Sequence, residues 1–238
     1  MTRARHGRYA DRRDAGLALA RLLAAYAGRS DVVVLGLPRG GVVVAAPVAA
    51  ALRAPLDVLV VRKLGLPGRP ELAMAAVTEV AGVVSVVRNE DVLRRWPVPG
   101  EVLDSVLEAE LAELRRREAA YRDGRAPLPV AGRVALVVDD GLATGASMRA
   151  AVAGVHRLDP FAVVVAVPVG APETVRALRP TVDDLVCPWQ PRPFAAVGEA
   201  YDDFTATTDD EVLRTLAGAG TADYRRAADP GPNAPGDE

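Results

Sequence analysis

Short, unbroken runs of apolar residues recur along the chain, and most of them are rich in valine. Such runs predict buried strands, because a strand covered on both faces needs no polar alternation. The stretches between them carry apolar residues at helical spacing and predict helices. The predicted strands are residues 32–35, 58–61, 83–87, 134–138, 163–167 and 185–187. The predicted helices are residues 11–27, 41–52, 101–122, 145–158 and 173–178.

This alternation of strands and helices predicts an α/β fold, doubly wound, with a mainly parallel sheet and helices on both faces. We expect one domain over residues 1–217. Residues 89–125 interrupt the alternation as a helical insert, whose long amphipathic helix either covers the core or forms a dimer seam, and we expect a homodimer. Residues 218–238 are rich in Gly, Pro, Ala and charge, which predicts disorder.

Composition excludes several classes of protein. The formal net charge is −2 and the isoelectric point is near 5.8, so no whole-chain basic field exists to hold nucleic acid or an anionic membrane. One cysteine and two histidines rule out an internal disulfide framework and leave little for a Cys- or His-based metal cluster. No secretory signal or apolar run of ~18 residues is found, so we expect a cytoplasmic protein without a membrane partner.

The candidate chemistry lies in residues 134–151, VALVVDDGLATGASMRAA. A predicted strand runs into Asp139 and Asp140, and the small residues from Gly141 to Ser147 let backbone N–H groups converge as a phosphate site. The acids would repel a bare polyanion but can accept hydrogen bonds from sugar hydroxyls. A ribose 5-phosphate meets both demands. The alternative is a helix N-cap beside a solvated carboxylate. No lysine follows Gly145, which excludes the Walker loop.

The segment VVDDGLATGAS resembles the phosphoribosyl-pyrophosphate (PRPP) motif of type I phosphoribosyltransferases. The resemblance extends over roughly residues 11–217, although the helical insert is similar only to an uncharacterised bacterial branch. It implies that Asp139 and Asp140 hold the ribose 2′- and 3′-hydroxyls, and that residues 143–147 hold the 5′-phosphate. The PRPP-binding set implied by this and the next two segments is Pro38, Arg39, Gly40, Gly41, Arg62, Lys63, Asp139, Asp140, Gly141, Leu142, Ala143, Thr144, Gly145, Ala146 and Ser147.

The segment LGLPRGGV lies where the family has its pyrophosphate loop. Gly40 and Gly41 allow close backbone approach, and Arg39 can pair with a phosphate. The family often has a non-proline cis peptide in this loop, which by position would be Pro38–Arg39. The alternative is a simple tight turn before a helix.

The segment VVRKLGLPGRPELAMAA resembles the start of the flexible loop in adenine-type members. The resemblance implies that Arg62 and Lys63, the only lysine in the chain, reach the pyrophosphate oxygens. Its glycines and prolines predict a movable lid over residues 64–80. The alternative is a surface loop with solvated bases.

The segment PRPFAAVGEAYDDF is distantly similar to the base-binding hood of 6-oxopurine members, which predicts a small hood at residues 188–217. By that similarity Phe194 would stack on a base and Asp202 would lie near the pyrophosphate and metal. Trp189 is a second stacking candidate, and core packing is the alternative for both aromatic residues. Ala143 stands where 6-oxopurine enzymes have an Asp, so the acceptor substrate stays open.

The resemblance implies an enzyme in which a nitrogen nucleophile, a nucleobase among the candidates, displaces pyrophosphate from C1 of PRPP. Lys63, Asp139 and Asp140 are the predicted catalytic residues. Mg²⁺ is the expected cofactor, bound mainly through the pyrophosphate, with no direct protein ligand predicted. The main alternative is a non-catalytic PRPP- or nucleotide-sensing regulatory protein on the same fold. A hydrolase lacks a nucleophile elbow or metal triad.

Overall fold

In a computed structural model, which describes residues 7–80 and 82–219, the strands form two sheets. One has five parallel strands in the order β2-β1-β6-β7-β8, and the other has three antiparallel strands in the order β3-β4-β5. The strands are β1 (Val32–Gly36), β2 (Leu56–Val58), β3 (Val61–Leu66), β4 (Arg69–Val80), β5 (Val83–Arg88), β6 (Val134–Val138), β7 (Ala162–Ala166) and β8 (Asp184–Val186). The helices are α1 (Arg12–Leu22), α2 (Gly40–Leu52), α3 (Glu90–Arg95), α4 (Gly100–Arg122), α5 (Ala146–His156), α6 (Pro172–Leu178) and α7 (Asp209–Gly218).

The parallel sheet is buried on both faces, as the valine-rich runs predict. Along β1, Val32 and Val34 pack into the core beneath α1 and α2, whereas Val33 and Leu35 pack into the core beneath α5. Every residue of β1 and β6 is buried. This sandwich fixes the carboxyl ends of β1 and β6 side by side, and ligands bind at such ends in open α/β sheets.

The antiparallel sheet corrects two predictions about strands. The predicted strand 58–61 is divided between β2, in the parallel sheet, and β3, in the antiparallel one. The predicted strand 83–87 exists as β5, but it pairs with β4 and not with the parallel sheet. Apolar runs predict burial equally well in either sheet, and only the chain direction at each pairing distinguishes them.

The predicted lid is also mostly strand. Residues 64–80 form the end of β3, a short turn and β4, with exposed residues confined to 67–71 at the hairpin tip. Leu64, Met74 and Val77 are fully buried, so the hairpin has an apolar face that packs on the rest of the molecule. Gly65, Pro67 and Gly68 suggested a loop from the sequence, but that burial holds the segment as a sheet.

The insert helix covers the core. The prediction for residues 101–122 is confirmed by α4, which packs on β3 and β4 and buries Leu103, Leu114 and Tyr121. α7 begins after its N-cap Thr208 and packs against α2 and α4, so the predicted hood range divides between residues near the site and a core-covering helix. Most of the predicted disordered tail, residues 220–238, lies outside the described residues. None of the described helices is both long and apolar enough to cross a membrane.

Candidate functional site

Two loops meet at the carboxyl ends of β1 and β6. The Leu37 N–H donates to the Val138 carbonyl at 2.9 Å, and the next peptide, Pro38–Arg39, is cis, as the resemblance implies. A Cβ on Gly40 would collide with Oδ2 of Asp140, and one on Gly41 would lie 2.8 Å from Cα of Asp139. The two glycines therefore let the first loop pack directly against the acidic pair.

Each acid has one carboxylate oxygen committed inside the protein. Asp139 Oδ1 accepts a hydrogen bond from the Asp140 N–H at 2.8 Å. Asp140 Oδ2 accepts one from Nε of Arg12 at 2.9 Å, and this ion pair is largely buried. No described residue donates a hydrogen bond to the other oxygen of either acid. The pair therefore offers two open acceptors, one for each hydroxyl of a sugar diol.

Burial makes it costly to ionise both acids. It is the largest cause of the raised pKa of Asp139, which lies well above its usual value, and the neighbouring Asp140 charge raises it further. The Asp140 N–H and the charges of Lys63 and Arg12 act in the opposite direction. Burial also raises the pKa of Asp140, against the hydrogen bond and charge of Arg12. A ligand with hydroxyl donors would stabilise the ionised pair.

The loop after the acids turns its carbonyls away from the site. Leu142 O accepts from the Ala171 N–H at 2.8 Å, Ala143 O from Thr174 Oγ1 at 2.6 Å, and Thr144 O from Nη1 of Arg149 at 3.0 Å. The backbone N–H groups of residues 143–147 find no acceptor among the described residues. N–H groups freed in this way form an anion site at the start of α5.

Gly145 makes that turn possible. Its φ is +74°, and a Cβ there would lie 2.6 Å from Cγ2 of Thr174 and 2.9 Å from Nη1 of Arg149. Glycine adopts this left-handed conformation without steric cost, so the chain can turn from the phosphate loop directly into α5.

Sequence reasoning missed the side chains that hold the acids from outside the motif. Arg12 begins α1, 128 residues from Asp140. The Tyr201 hydroxyl donates to the Asp140 carbonyl at 2.5 Å, and Thr174 supports the phosphate loop. The signal for Arg12 is weak, because it is one of several arginines in a basic stretch. Tyr201 lies inside the predicted hood segment, but nothing in that pattern distinguishes it.

The structure separates the two predicted pyrophosphate cations. Lys63 is exposed on β3, and its charge lowers the pKa of Asp139. Arg62 instead donates from Nε to Oε2 of Glu110 on α4 at 2.6 Å, in a half-buried ion pair. Arg39 is exposed just before α2. Arg39 and Lys63 are therefore accessible, whereas Arg62 would have to leave Glu110 to reach a ligand.

The aromatic residues of the hood pack with the first described residues. Trp189 meets the ring of Tyr9 edge-on at 6.2 Å, and Phe194 packs half-buried against the same cluster. The Asp202 N–H donates to the Tyr9 carbonyl at 2.9 Å, and its side chain is exposed. Trp189 also lines a cleft of about 230 Å³ that contains the Glu199 carboxylate. Both rings thus contribute to packing, and Trp189 also faces the cleft.

The family follows from comparison with known proteins. A family model described as "Phosphoribosyl transferase domain" matches residues 11–203, which include both loops of the site and the start of α1. The chain belongs to the phosphoribosyl transferase family. Its fold, a mainly parallel sheet flanked by helices, is that of a type I phosphoribosyltransferase.

Two relatives and one solved structure support this assignment. Two Mycobacterium tuberculosis proteins, from strains CDC 1551 and H37Rv and each named "Putative phosphoribosyl transferase", are 49% identical over 229 residues, covering 92% of this chain. The chain spans about half the length of these curated relatives, 50% of each. The crystal structure of TT1426 from Thermus thermophilus is 45% identical with a TM-score of 0.74, covering 88% of this phosphoribosyl transferase and 97% of that chain.

Proposed function

We propose that this phosphoribosyl transferase binds PRPP together with Mg²⁺ and transfers the 5-phosphoribosyl group to a nitrogen nucleophile, releasing pyrophosphate. In this proposal Asp139 and Asp140 accept hydrogen bonds from the two ribose hydroxyls. The N–H groups of residues 143–147, with the Thr144 and Ser147 hydroxyls, hold the 5′-phosphate.

The single observation that carries the proposal is the open oxygen on each acid, directly before a turn whose N–H groups lack acceptors among the described residues. A bare phosphate would satisfy the turn but would be repelled by the acids. A free sugar would satisfy the acids but leave the turn empty. A phosphorylated ribose with a free diol satisfies both.

The leaving pyrophosphate gains negative charge as its bond to C1 breaks. Arg39 and Lys63 are the accessible cations for that charge, and Arg62 could join them by leaving Glu110. The reaction gains from charges fixed in place before it begins, because no solvent then has to reorganise.

Mg²⁺ fits this oxygen-rich site as an ion carried by the ligand. It prefers oxygen ligands and keeps several waters, and one oxygen of each acid is already committed. Within the described residues, no group of three or more His, Cys, Asp or Glu is arranged to hold a metal. Pyrophosphate oxygens and water would hold the ion, which would neutralise charge on the leaving group.

We place the acceptor near the hood, where Trp189 and Glu199 line the cleft beside the first described residues. A ring can stack on an indole, and a carboxylate can accept a hydrogen bond from a ring N–H. The chemical identity of the acceptor, the homodimer, the cytoplasmic location and the absence of nucleic-acid or membrane partners stay predictions.

The test of the ribose assignment is the double substitution Asp139→Asn with Asp140→Asn, titrated by calorimetry. PRPP with Mg²⁺ should bind at least about tenfold more weakly, because amides accept hydroxyl hydrogen bonds less strongly than carboxylates do. Inorganic phosphate should bind equally or more tightly, because two negative charges are gone. Asp104→Asn, an exposed acid on α4, is the matched control and should change neither affinity. If both ligands bind the double variant more weakly, the acids are structural caps.

A second measurement tests turnover. Pyrophosphate release from PRPP is followed while nitrogen nucleophiles, nucleobases first, are supplied one by one. Release that requires one of them identifies the acceptor. Tight PRPP binding without release for any nucleophile would instead favour a PRPP-sensing regulatory protein.

A further inference from the structure

The Arg12 guanidinium is fixed on three sides. Its Nε donates to Oδ2 of Asp140 at 2.9 Å, and its Nη1 donates to the Thr205 carbonyl at 2.7 Å. Its plane lies over the ring of Phe204, with Cζ 3.9 Å from the ring centroid. The position demands a planar, forked cation, because a lysine ammonium could not make both hydrogen bonds and stack in this way.

This contact joins two distant parts of the chain to the acidic pair. α1 supplies Arg12, and the segment after the hood's short helical turn supplies Phe204 and Thr205. The backbone pairing of Tyr9 with Tyr201 holds these two segments together. Arg12 therefore reaches Asp140 from a pre-arranged position.

We propose that Arg12 is a positioning residue of the candidate site, which fixes the Asp140 carboxylate so that one oxygen stays open toward the ligand and which supplies the counter-charge that lets two adjacent acids face one ligand. The identity of that ligand rests on the proposed function, but the role assigned to Arg12 does not. A collision at Gly40 would oppose other orientations of the carboxylate, because Oδ2 and the Gly40 backbone are in close contact.

The charged and titratable groups around Asp140 give the expected direction of a pH effect. Arg12 faces it from α1, Asp139 from the same loop and Tyr201 from the hood, while Lys63 acts on the pair from β3. The hydrogen bond and charge of Arg12 both hold down the pKa of Asp140 against burial. Without Arg12 that pKa rises, so the protonated acid, a poorer acceptor, persists to higher pH.

The first experiment titrates PRPP with Mg²⁺ by calorimetry, between about pH 5.5 and about pH 8.5, into wild type, Arg12→Gln and Arg12→Lys. Arg12→Gln should weaken binding by about tenfold near neutral pH, and the loss should grow as pH falls. Arg12→Lys keeps the charge and should recover the wild-type pH dependence without the full affinity. Arg13→Gln removes an exposed charge from the adjacent residue of α1 and should match wild type.

A loss of affinity that is equal at every pH for both Arg12 variants would overturn the inference, because it would mean that Arg12 only supports the fold. Thermal unfolding of each variant checks that α1 and the hood remain folded. If Arg12→Gln does not fold, Arg12→Lys decides: its affinity loss must then be independent of pH.

The second experiment separates this inference from the proposed function. Carbon NMR of the Asp140 carboxyl in the ligand-free protein measures its pKa directly in wild type and in Arg12→Gln. A higher pKa in the variant supports the positioning role even if wild type binds no PRPP, in which case only the proposed function fails. An unchanged pKa, in a wild type that binds PRPP, overturns the positioning role alone.

Discussion

At the scale of single residues, the site depends on side chains that are missing as much as on those present. Gly40 and Gly41 suggested, from the sequence, close approach of the backbone to a ligand. In the structure the approach that requires glycine is to the acids themselves, since a Cβ at either position would meet Asp139 or Asp140. These glycines set how deeply the acids sit between the two loops.

Gly40→Ala should therefore disturb the acids. The added methyl would displace the Asp140 carboxylate and with it Arg12, at a cost of about 1–3 kcal/mol in the free energy of unfolding. PRPP binding should weaken in parallel.

Gly100→Ala is the matched control, because a Cβ at Gly100, the first residue of α4, meets nothing within 4 Å. It should be neutral or stabilise by up to ~1 kcal/mol. Urea unfolding and PRPP titration check both variants. Equal behaviour of the two variants would show that the Gly40 contact is easily relieved.

The residue scale also shows what the sequence can and cannot predict about the site. The acids and the phosphate loop were found because they are contiguous, so one strand–loop–helix pattern carries their geometry. Arg12, Thr174 and Tyr201 contact that loop across sequence separations of 128, 31 and 61 residues. No local pattern encodes such contacts, which arise only when helices and loops pack around the sheet.

At the scale of elements, the antiparallel sheet connects the predicted lid to the insert. β4 is clamped from both sides: Thr78 Oγ1 donates to the Val60 carbonyl at 2.8 Å, and the Thr78 methyl fills the space beside Gly154 on α5. On α4, Arg115 pairs with Glu79 of β4 at 2.7 Å. The sequence predicted α4 from its amphipathic pattern but not its place against the hairpin, because the same apolar face would also suit a dimer seam.

The Arg62–Glu110 ion pair predicts how this element influences ligand binding. Glu110→Gln should free Arg62 for the pyrophosphate and tighten PRPP binding. The gain should be about 1.4- to 5-fold, the equivalent of the ~0.2–1 kcal/mol that exposed ion pairs contribute. Calorimetric titration at constant ionic strength measures it.

Glu108→Gln, an exposed acid on the same helix, controls for the change in overall charge. Equal tightening in both variants would mean that general electrostatics, and not release of Arg62, is responsible. Weaker binding in Glu110→Gln alone would mean that Glu110 holds Arg62 in its working position.

At the scale of the whole molecule, one buried charge joins the insert to the parallel sheet. Asp57 in β2 accepts hydrogen bonds from Nε of Arg122 at 3.3 Å, from the Leu128 N–H at 3.0 Å and from the Val58 N–H at 2.8 Å. Arg122 also pairs with Glu118, whose pKa burial raises to about 6. The end of α4 and the chain that returns to β6 are thus fastened at one point.

Asp57→Ala should destabilise the whole fold. It leaves the Arg122 guanidinium buried without its main counter-charge, which costs about 3–5 kcal/mol when one partner of a buried pair is removed. The variant Asp31→Ala breaks an exposed pair with Arg29 and should cost less than ~1 kcal/mol. Denaturant midpoints compare the two. A loss at Asp57 no larger than that at Asp31 would mean that water enters the network and solvates Arg122.

The position of Lys63 has a practical consequence. It carries the only side-chain amine in the chain, it is exposed on β3, and its charge acts on Asp139. Amine-directed labels therefore modify one side chain per molecule, and that side chain lies in the electrostatic field of the acidic pair. A fluorophore attached there gives an optical signal from the edge of the site with no engineered handle, and the reactivity of the free amine serves as a chemical gauge of occupancy.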